Sequence, residues 1–209
     1  MTPSQLLQRY LGECPLIAIV RGVKPDEAEA IGDAVFEAGI RIIEVPLNSP
    51  EPLQSIERLA AKLGDRALVG AGTVFTPASV EDVRGAGGRL IVSPHTNAAV
   101  IRATVVAGLV SCPGYFTPTE AFAALDAGAT ALKLFPAEAA SPATLKAQLA
   151  VIPKGFPIII VGGIKPDNMG PWTDAGSAGF GLGSGLYKSG QSAAETLDRA
   201  KAYVAQVRR

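Results

Sequence analysis

The segment 131–136, ALKLFP, places a lysine in the middle of a short apolar run. In a β-strand Leu132 and Leu134 face one way, and Lys133 and Phe135 face the other. A lysine on a buried face loses its water, and this loss favours the neutral, nucleophilic amine. Such an amine can form a Schiff base with a substrate carbonyl. We therefore interpret Lys133 as the first candidate for catalysis.

Two further charged residues end apolar runs. Glu44 lies in RIIEV (41–45), and its carboxylate could transfer protons beside the lysine. The alternatives for Glu44 are a side chain that reaches solvent or a structural ion pair with Lys133. Arg21 ends LIAIVR (16–21), and its planar guanidinium suits a carboxylate ligand. The alternative for Arg21 is an ion pair at the rim of the fold.

Two glycine-rich segments, VGGI (161–164) and GLGSGLY (181–187), could hold an anion. Glycine lets backbone N–H groups approach a phosphate closely, and Ser184 could donate a further hydrogen bond. The alternative is that these glycines only form tight turns between strands and helices.

A repeating pattern organises these residues. Proline follows a possible capping residue at predicted helix starts. These dipeptides are Lys24-Pro25, Ser49-Pro50, Thr76-Pro77, Thr117-Pro118, Ser141-Pro142 and Lys165-Pro166. Glycines after the helical segments predict their ends, and most are followed by a short apolar run. The runs are 16–21, 41–45, 67–72, 89–94, 109–114, 131–136, 157–163 and 178–183.

Eight apolar strands that alternate with helices predict an α/β fold, a single-domain (β/α)₈ TIM barrel over residues 1–209. An extra N-terminal helix is predicted at about 3–11, and a last helix at about 192–207. The alternative is a doubly wound open sheet. It would carry a glycine-rich dinucleotide turn after the first strand, where this chain has VRGVKPDE.

The composition and the residue spacing argue against several classes of function. Nineteen Lys and Arg balance nineteen Asp and Glu, so we predict no binding to nucleic acid or to an anionic membrane. The N-terminus does not resemble a signal peptide and the apolar runs are too short to span a bilayer, which predicts a cytoplasmic protein. Cys14 and Cys112 have no metal or redox spacing and are interpreted as core thiols. His95 is the only histidine and is placed at the rim, so we predict no metal and no cofactor.

In a barrel, chemistry lies at the carboxyl ends of the strands. The residues predicted there are Arg21, Glu44, Thr73, Pro94, Pro113, Lys133, Gly162-Gly163 and Gly183-Ser184. Pro94 and Phe135 would exclude water from around the Lys133 amine. A buried lysine, a carboxylate, a carboxylate-binding arginine and a phosphate nest predict a metal-free enzyme that acts on a phosphorylated keto acid through an imine.

Ordered motifs along nearly the whole chain resemble the KDPG/KHG aldolase family. They are IAIVRG (17–22), IIEVPLNSP (42–50), VGAGTV (69–74), IVSP (91–94), CPG (112–114), ALKLFP (131–136), VGGI (161–164) and GLGSGLY (181–187). The resemblance implies a class I aldolase and a homotrimer. It implies that Lys133 forms the Schiff base and Glu44 is the acid/base. It also implies that Arg21 and Thr73 hold the pyruvate carboxylate and that Gly163, Gly183 and Ser184 contact phosphate.

Two positions distinguish branches of that family. The gluconate-type branch carries arginine and threonine where this chain has Asn48 and Val161, and the galactonate-type branch resembles PLNSP and VGG, as here. The resemblance therefore implies cleavage of 2-dehydro-3-deoxy-6-phosphogalactonate to pyruvate and glyceraldehyde 3-phosphate. The alternatives are the gluconate-type or 4-hydroxy-2-oxoglutarate activity, a phosphosugar isomerase, or a barrel that binds such ligands without turnover.

Overall fold

The structure is a computed structural model, and it describes residues 1–207. The α-helices are α1 (Pro3–Glu13), α2 (Pro25–Ala38), α3 (Pro52–Leu63), α4 (Pro77–Gly85), α5 (Ala98–Val106), α6 (Pro118–Asp126), α7 (Pro142–Leu149), α8 (Met169–Asp174) and α9 (Ala193–Val207). The strands are β1 (Leu16–Ile19), β2 (Ile42–Pro46), β3 (Leu68–Gly72), β4 (Leu90–Val92), β5 (Val110–Cys112), β6 (Gly114–Tyr115), β7 (Leu132–Leu134), β8 (Ile158–Val161) and β9 (Gly179–Leu182). No helix of the described part has the length and apolar character needed to cross a membrane.

The strands form one parallel sheet in the order β5-β4-β3-β2-β1-β9-β8-β7-β6. Its two ends, β5 and β6, are halves of a single predicted run, which Pro113 divides because proline has no N–H for the ladder. Lys133 N donates to Pro113 O over 2.9 Å, and Ala131 N donates to Ser111 O over 3.0 Å. These bonds join the two ends of the ladder, so the prediction of a barrel is confirmed and the open sheet is wrong.

Four of the six predicted helix starts are confirmed, at Pro25, Pro77, Pro118 and Pro142. Pro166 instead begins a short 3-10 turn that leads into α8. Thr117 caps α6 in a capping box, in which Glu120 reaches back to the cap. The predicted start at Ser49-Pro50 is wrong, because α3 begins at Pro52. The hydroxyl of Ser49 instead accepts a hydrogen bond from Gly22 N.

Two layers of apolar side chains stabilise the barrel. Leu132 and Leu134 belong to the outer layer, between the sheet and the helices. Ala131 belongs to the inner layer, as the predicted alternation requires. From α1, Leu7 and Tyr10 pack onto the same inner layer, so this helix closes the end of the barrel where the strands begin. The interior is therefore a packed core, and the end where the strands finish is left for a site.

Candidate active site

A cleft of about 420 Å³ opens at the carboxyl ends of the strands. Of the predicted residues, Glu44, Asn48 and Pro113 do not line it. The predicted residues that line it are Arg21, Thr73, Pro94, Lys133, Phe135, Val161, Gly162, Gly163, Gly183 and Ser184. A larger hollow of about 890 Å³ lies beside α1, but apart from Gln8 and Lys154 its lining is apolar or glycine. We therefore assign the site by its chemistry rather than its size.

Lys133 is held by the middle of β7. Its strand neighbours are Gly114 on one side and Ile159 on the other, so its backbone is fixed by both ladders. The residue is only 7% exposed. Its Nζ lies 4.9 Å from the centre of the Phe135 ring. The amine is thus presented to the cleft from an apolar wall.

Glu44 lies on β2, behind the lining of the cleft, and is only 2% exposed. The alternative that the Glu44 side chain reaches solvent is therefore wrong. Its Oε2 atom has no hydrogen-bond partner among the described residues. Burial raises the pKa of its carboxyl above the usual value, while the positive charges of Lys133 and Arg21 oppose that effect. A buried, unpartnered carboxyl with a raised pKa is suited to accept and return a proton.

No ion pair between Lys133 and Glu44 occurs in the described part of the chain. The alternative of a structural salt bridge is therefore wrong. The positive charge of Lys133 opposes the rise in the pKa of Glu44 without an ion pair between the two side chains. Both groups are left available to a substrate placed between them.

Gly72, at the end of β3, provides the room for the Glu44 carboxyl. A Cβ atom at Gly72 would overlap Oε2 of Glu44. Sequence reasoning missed this residue, because its role depends on the pairing of β2 with β3, where Pro46 lies opposite Gly72. The glycine within VGAGTV is the only signal, and it does not say which side chain needs the space.

Arg21 lines the cleft and is exposed. Its Nη1 donates to Asn48 Oδ1 over 2.6 Å. The alternative of a rim ion pair is wrong, since the partner is a neutral amide. Thr73 follows β3 with φ of 61°, a conformation that is uncommon for a residue with a side chain. Asn48, which the sequence predicts as a substrate-binding position through its difference between the two branches, does not itself line the cleft.

The opposite end of the cleft is built from backbone. After β8 and β9 the N–H groups of Gly163, Ile164, Ser184 and Gly185 have no acceptor recorded among the described residues. Gly163 has φ of 64°, which favours glycine. A group of free backbone donors of this kind can hold an anion, and we call these four N–H groups the nest.

Sequence reasoning missed four charged residues that line this end: Glu138, Lys165, Lys188 and Arg199. The cations make the nest attractive to a phosphate. Glu138 lies directly over Gly162, where a Cβ atom would meet its carboxylate. The sequence pattern assigns Lys165 to a helix start. No local pattern links Arg199 to the glycine-rich segments 161–164 and 181–187. Only the fold brings α9 to this edge.

Cys112 and His95 occupy the places that the sequence predicts. Cys112 is buried inside the barrel, and burial raises the pKa of its thiol to about 12, with Lys133 opposing the effect. His95 is exposed at the rim, where its ring centre lies 5.7 Å from that of Phe75. Across residues 1–207, no three His, Cys, Asp or Glu side chains form a group that could hold a metal ion.

The geometry defines a parallel barrel with a buried amine and a buried carboxyl at one end of a cleft and an anion nest at the other. Residues 7–203 match the family model described as KDPG and KHG aldolase, and the chain belongs to this family. The 2-dehydro-3-deoxy-6-phosphogalactonate aldolase of Escherichia coli strain K12 is 50% identical over 190 residues, which are 91% of this chain and 93% of the relative.

Solved structures of aldolases superpose on nearly the whole chain. One described as native KDPGal superposes with a TM-score of 0.92 at 49% identity and covers 94% of this chain and 95% of that chain. The KDPG aldolase of Legionella pneumophila, solved with pyruvate captured at low pH as a covalent carbinolamine, superposes with a TM-score of 0.77 at 26% identity. That match covers 99% of this chain and 96% of the other.

Proposed function

We propose that the chain is a class I aldolase that cleaves 2-dehydro-3-deoxy-6-phospho-D-galactonate to pyruvate and D-glyceraldehyde 3-phosphate. One observation carries the proposal: Lys133 and Glu44 are both buried at the same end of the cleft, yet they do not pair. The relative in Escherichia coli that bears this activity covers 91% of the chain, which supports the choice of substrate.

The reaction begins at the C2 ketone. The free amine of Lys133 attacks C2 to give a carbinolamine, which loses water to become a protonated imine. The covalent carbinolamine of pyruvate in the Legionella relative supports this step. The imine then accepts the electron pair released when the C3–C4 bond breaks.

Glu44 removes the proton from the C4 hydroxyl, directly or through one water, as the bond breaks. Glyceraldehyde 3-phosphate leaves as the aldehyde, and an enamine of pyruvate stays on Lys133. Protonation of the enamine at C3 restores the imine, and water then releases pyruvate and the free amine. The raised pKa of Glu44 suits both halves of this cycle, because the carboxyl takes up a proton and can give it back.

The two ends of the substrate would be held by different groups. Arg21 and Thr73 would bind the carboxylate so that C2 faces the lysine, and Pro94 and Phe135 would exclude water around the amine. Gly163, Gly183 and Ser184 would bind the phosphate, with Lys165, Lys188 and Arg199 adding positive charge. Binding at both ends orients the reacting bond.

Val161 is the residue placed to sense the C4 configuration. It lines the cleft and is 7% exposed. Its side chain lies against Gly181, where a Cβ atom would be 2.7 Å away. An apolar side chain at this position offers no hydrogen bond to the C4 hydroxyl. It would therefore favour the epimer whose C4 hydroxyl forms its hydrogen bond with another residue.

The domain organisation, the compartment and the oligomeric state are also proposed. Residues 1–209 would act as one catalytic domain in the cytoplasm, where phosphorylated sugar acids are metabolised. A homotrimer would cover some of the exposed apolar side chains, such as Phe75, Val106 and Phe122. Light scattering coupled to size exclusion would measure the mass of the assembly.

The test is pyruvate release from the two C4-epimeric 2-dehydro-3-deoxy-6-phosphohexonates, side by side and without added metal. We expect a clear preference for the galactonate-derived epimer. Preference for the other epimer would place the chain in the gluconate-type branch. No release from either would contradict the proposed reaction and favour a barrel that only binds such ligands.

A further inference from the structure

We propose that Asn48 is a positioning residue that acts on the substrate carboxylate through Arg21, and that it does so without neutralising the guanidinium. The inference rests on the proposed function, because Arg21 must meet a carboxylate there. It assigns Asn48 to the carboxylate end of the substrate rather than to C4.

The first observation is the contact itself. Arg21 Nη1 donates to Asn48 Oδ1 over 2.6 Å, which is short for a hydrogen bond between nitrogen and oxygen. Arg21 lines the cleft and Asn48 does not. Asn48 can therefore influence a bound molecule through the guanidinium that it holds.

The second observation is that the backbone beside Arg21 is already fixed. Gly22 N donates to Ser49 Oγ over 2.9 Å, and Gly22 O accepts from Ser189 Oγ over 3.1 Å. The loop after β1 is thus attached to the loops after β2 and β9. These bonds hold the backbone but not the long side chain of Arg21. Asn48, next to Ser49, restrains that side chain through its hydrogen bond.

The third step is chemical. A guanidinium has five N–H donors, and one bond to Asn48 leaves the others for a carboxylate ligand. Asparagine accepts this bond without carrying charge. An aspartate here would accept the same bond, but its charge would repel the substrate carboxylate and pair with Arg21. The neutral amide therefore orients the fork and preserves its attraction for the substrate.

The experiment measures how borohydride trapping of the pyruvate adduct on Lys133 depends on pyruvate concentration. In Asn48→Ala we expect half-saturation to rise about 3- to 10-fold, since one exposed hydrogen bond to a charged group is lost. In Asn48→Asp we expect a larger rise, of at least about 10-fold, because the added negative charge pairs with Arg21 and weakens the attraction of the guanidinium for the substrate carboxylate. Gln8→Ala, which deletes an amide on α1 at the far end of the barrel, should leave half-saturation unchanged.

Two readouts separate this role from a general structural effect. Trapping of hydroxyacetone, a ketone without a carboxylate, should be equal in the wild type and in Asn48→Ala. In an Arg21→Ala background, Asn48→Ala should have no further effect on half-saturation for pyruvate, because its target is gone.

The outcomes are distinct. If the wild type forms no adduct and releases no pyruvate, the proposed function has failed. If the wild type is active but Asn48→Ala keeps its half-saturation for pyruvate, the positioning role is wrong. If Asn48→Asp binds pyruvate as well as the wild type does, the requirement for a neutral amide is wrong. An equal loss for pyruvate and hydroxyacetone would also overturn the inference.

Discussion

At one end of the cleft the functional groups are side chains from the middle of strands, and at the other end they are backbone N–H groups of loops. Lys133 and Glu44 are both under 10% exposed, whereas Ser184 and Gly185 are exposed. A buried side chain cannot be replaced by a neighbour or by water. A nest shares its ligand among several donors, so each donor matters less. The two ends should therefore differ in how sharply a single substitution affects them.

The largest effect is expected at Lys133. Lys133→Ala removes the nucleophile, so turnover should fall to background and borohydride should fix no pyruvate on the protein. Far-ultraviolet circular dichroism would check that the fold is intact. Lys146→Ala, on the exposed face of α7, is the control and should keep both turnover and the adduct. Normal turnover in Lys133→Ala would remove the imine mechanism.

The second prediction concerns Gly72. In Gly72→Ala the new Cβ occupies the place of the Glu44 carboxyl, and only Glu44 side-chain atoms are its nearest neighbours. We expect kcat to fall by about 10²- to 10⁴-fold, as when a general base is lost. Adding Gly72→Ala to Glu44→Gln should cost little more, because both act on the same group.

The matched control is Gly85→Ala, where the added methyl group meets no atom within 4 Å. It should leave kcat unchanged. A Gly72→Ala enzyme with the wild-type rate would mean that the position of the Glu44 carboxyl does not matter for cleavage.

At the nest the effect should be smaller. Ser184→Ala removes one donor among several, worth about 1 kcal/mol or roughly fivefold in KM for the phosphorylated substrate. Half-saturation for pyruvate in the trapping assay should stay the same, because pyruvate has no phosphate. A change in pyruvate binding instead would show that the two ends are not independent.

The smallest effect is on stability. Burial raises the pKa of Glu44 in the folded chain above its value in the unfolded chain. Between those two pKa values the folded state holds more protons, so its free energy of unfolding falls as pH rises through that window. Glu44→Gln has no such loss. Urea unfolding from pH 4 to 8 should find the variant more stable at the upper end, on the order of 1 kcal/mol, and the difference should shrink towards pH 4. Parallel pH curves would contradict a raised pKa.

The buried end of the cleft could be predicted from the sequence because strand alternation fixes its geometry. Once Leu132 and Leu134 point outward, Lys133 must point inward. Glu44 follows in the same way from its place in β2. The closed barrel follows from eight strand–helix units, although the division of one run at Pro113 needed the structure.

The exposed end could be predicted only in part. The glycines mark a nest, but Lys188 and Arg199 reach it from segments whose direction no local pattern gives. The bond between Arg21 and Asn48 joins two loops 27 residues apart and depends on side-chain conformation. The role of Gly72 depends on the register between two strands. Contacts of this kind are decided by tertiary packing, which residue spacing does not encode.

The order of the strands has a consequence for synthesis of the chain. The first strand, β1, pairs with the last, β9, so the ring is completed only when residues 179–182 are available. Glu44 lies in the half of the ladder on one side of this pairing, and Lys133 lies in the half on the other side. A nascent chain that has already made both residues still lacks the bond that closes the ring between them. Catalytic competence should therefore arrive as a single step, when residues 179–182 have been made and pair with β1.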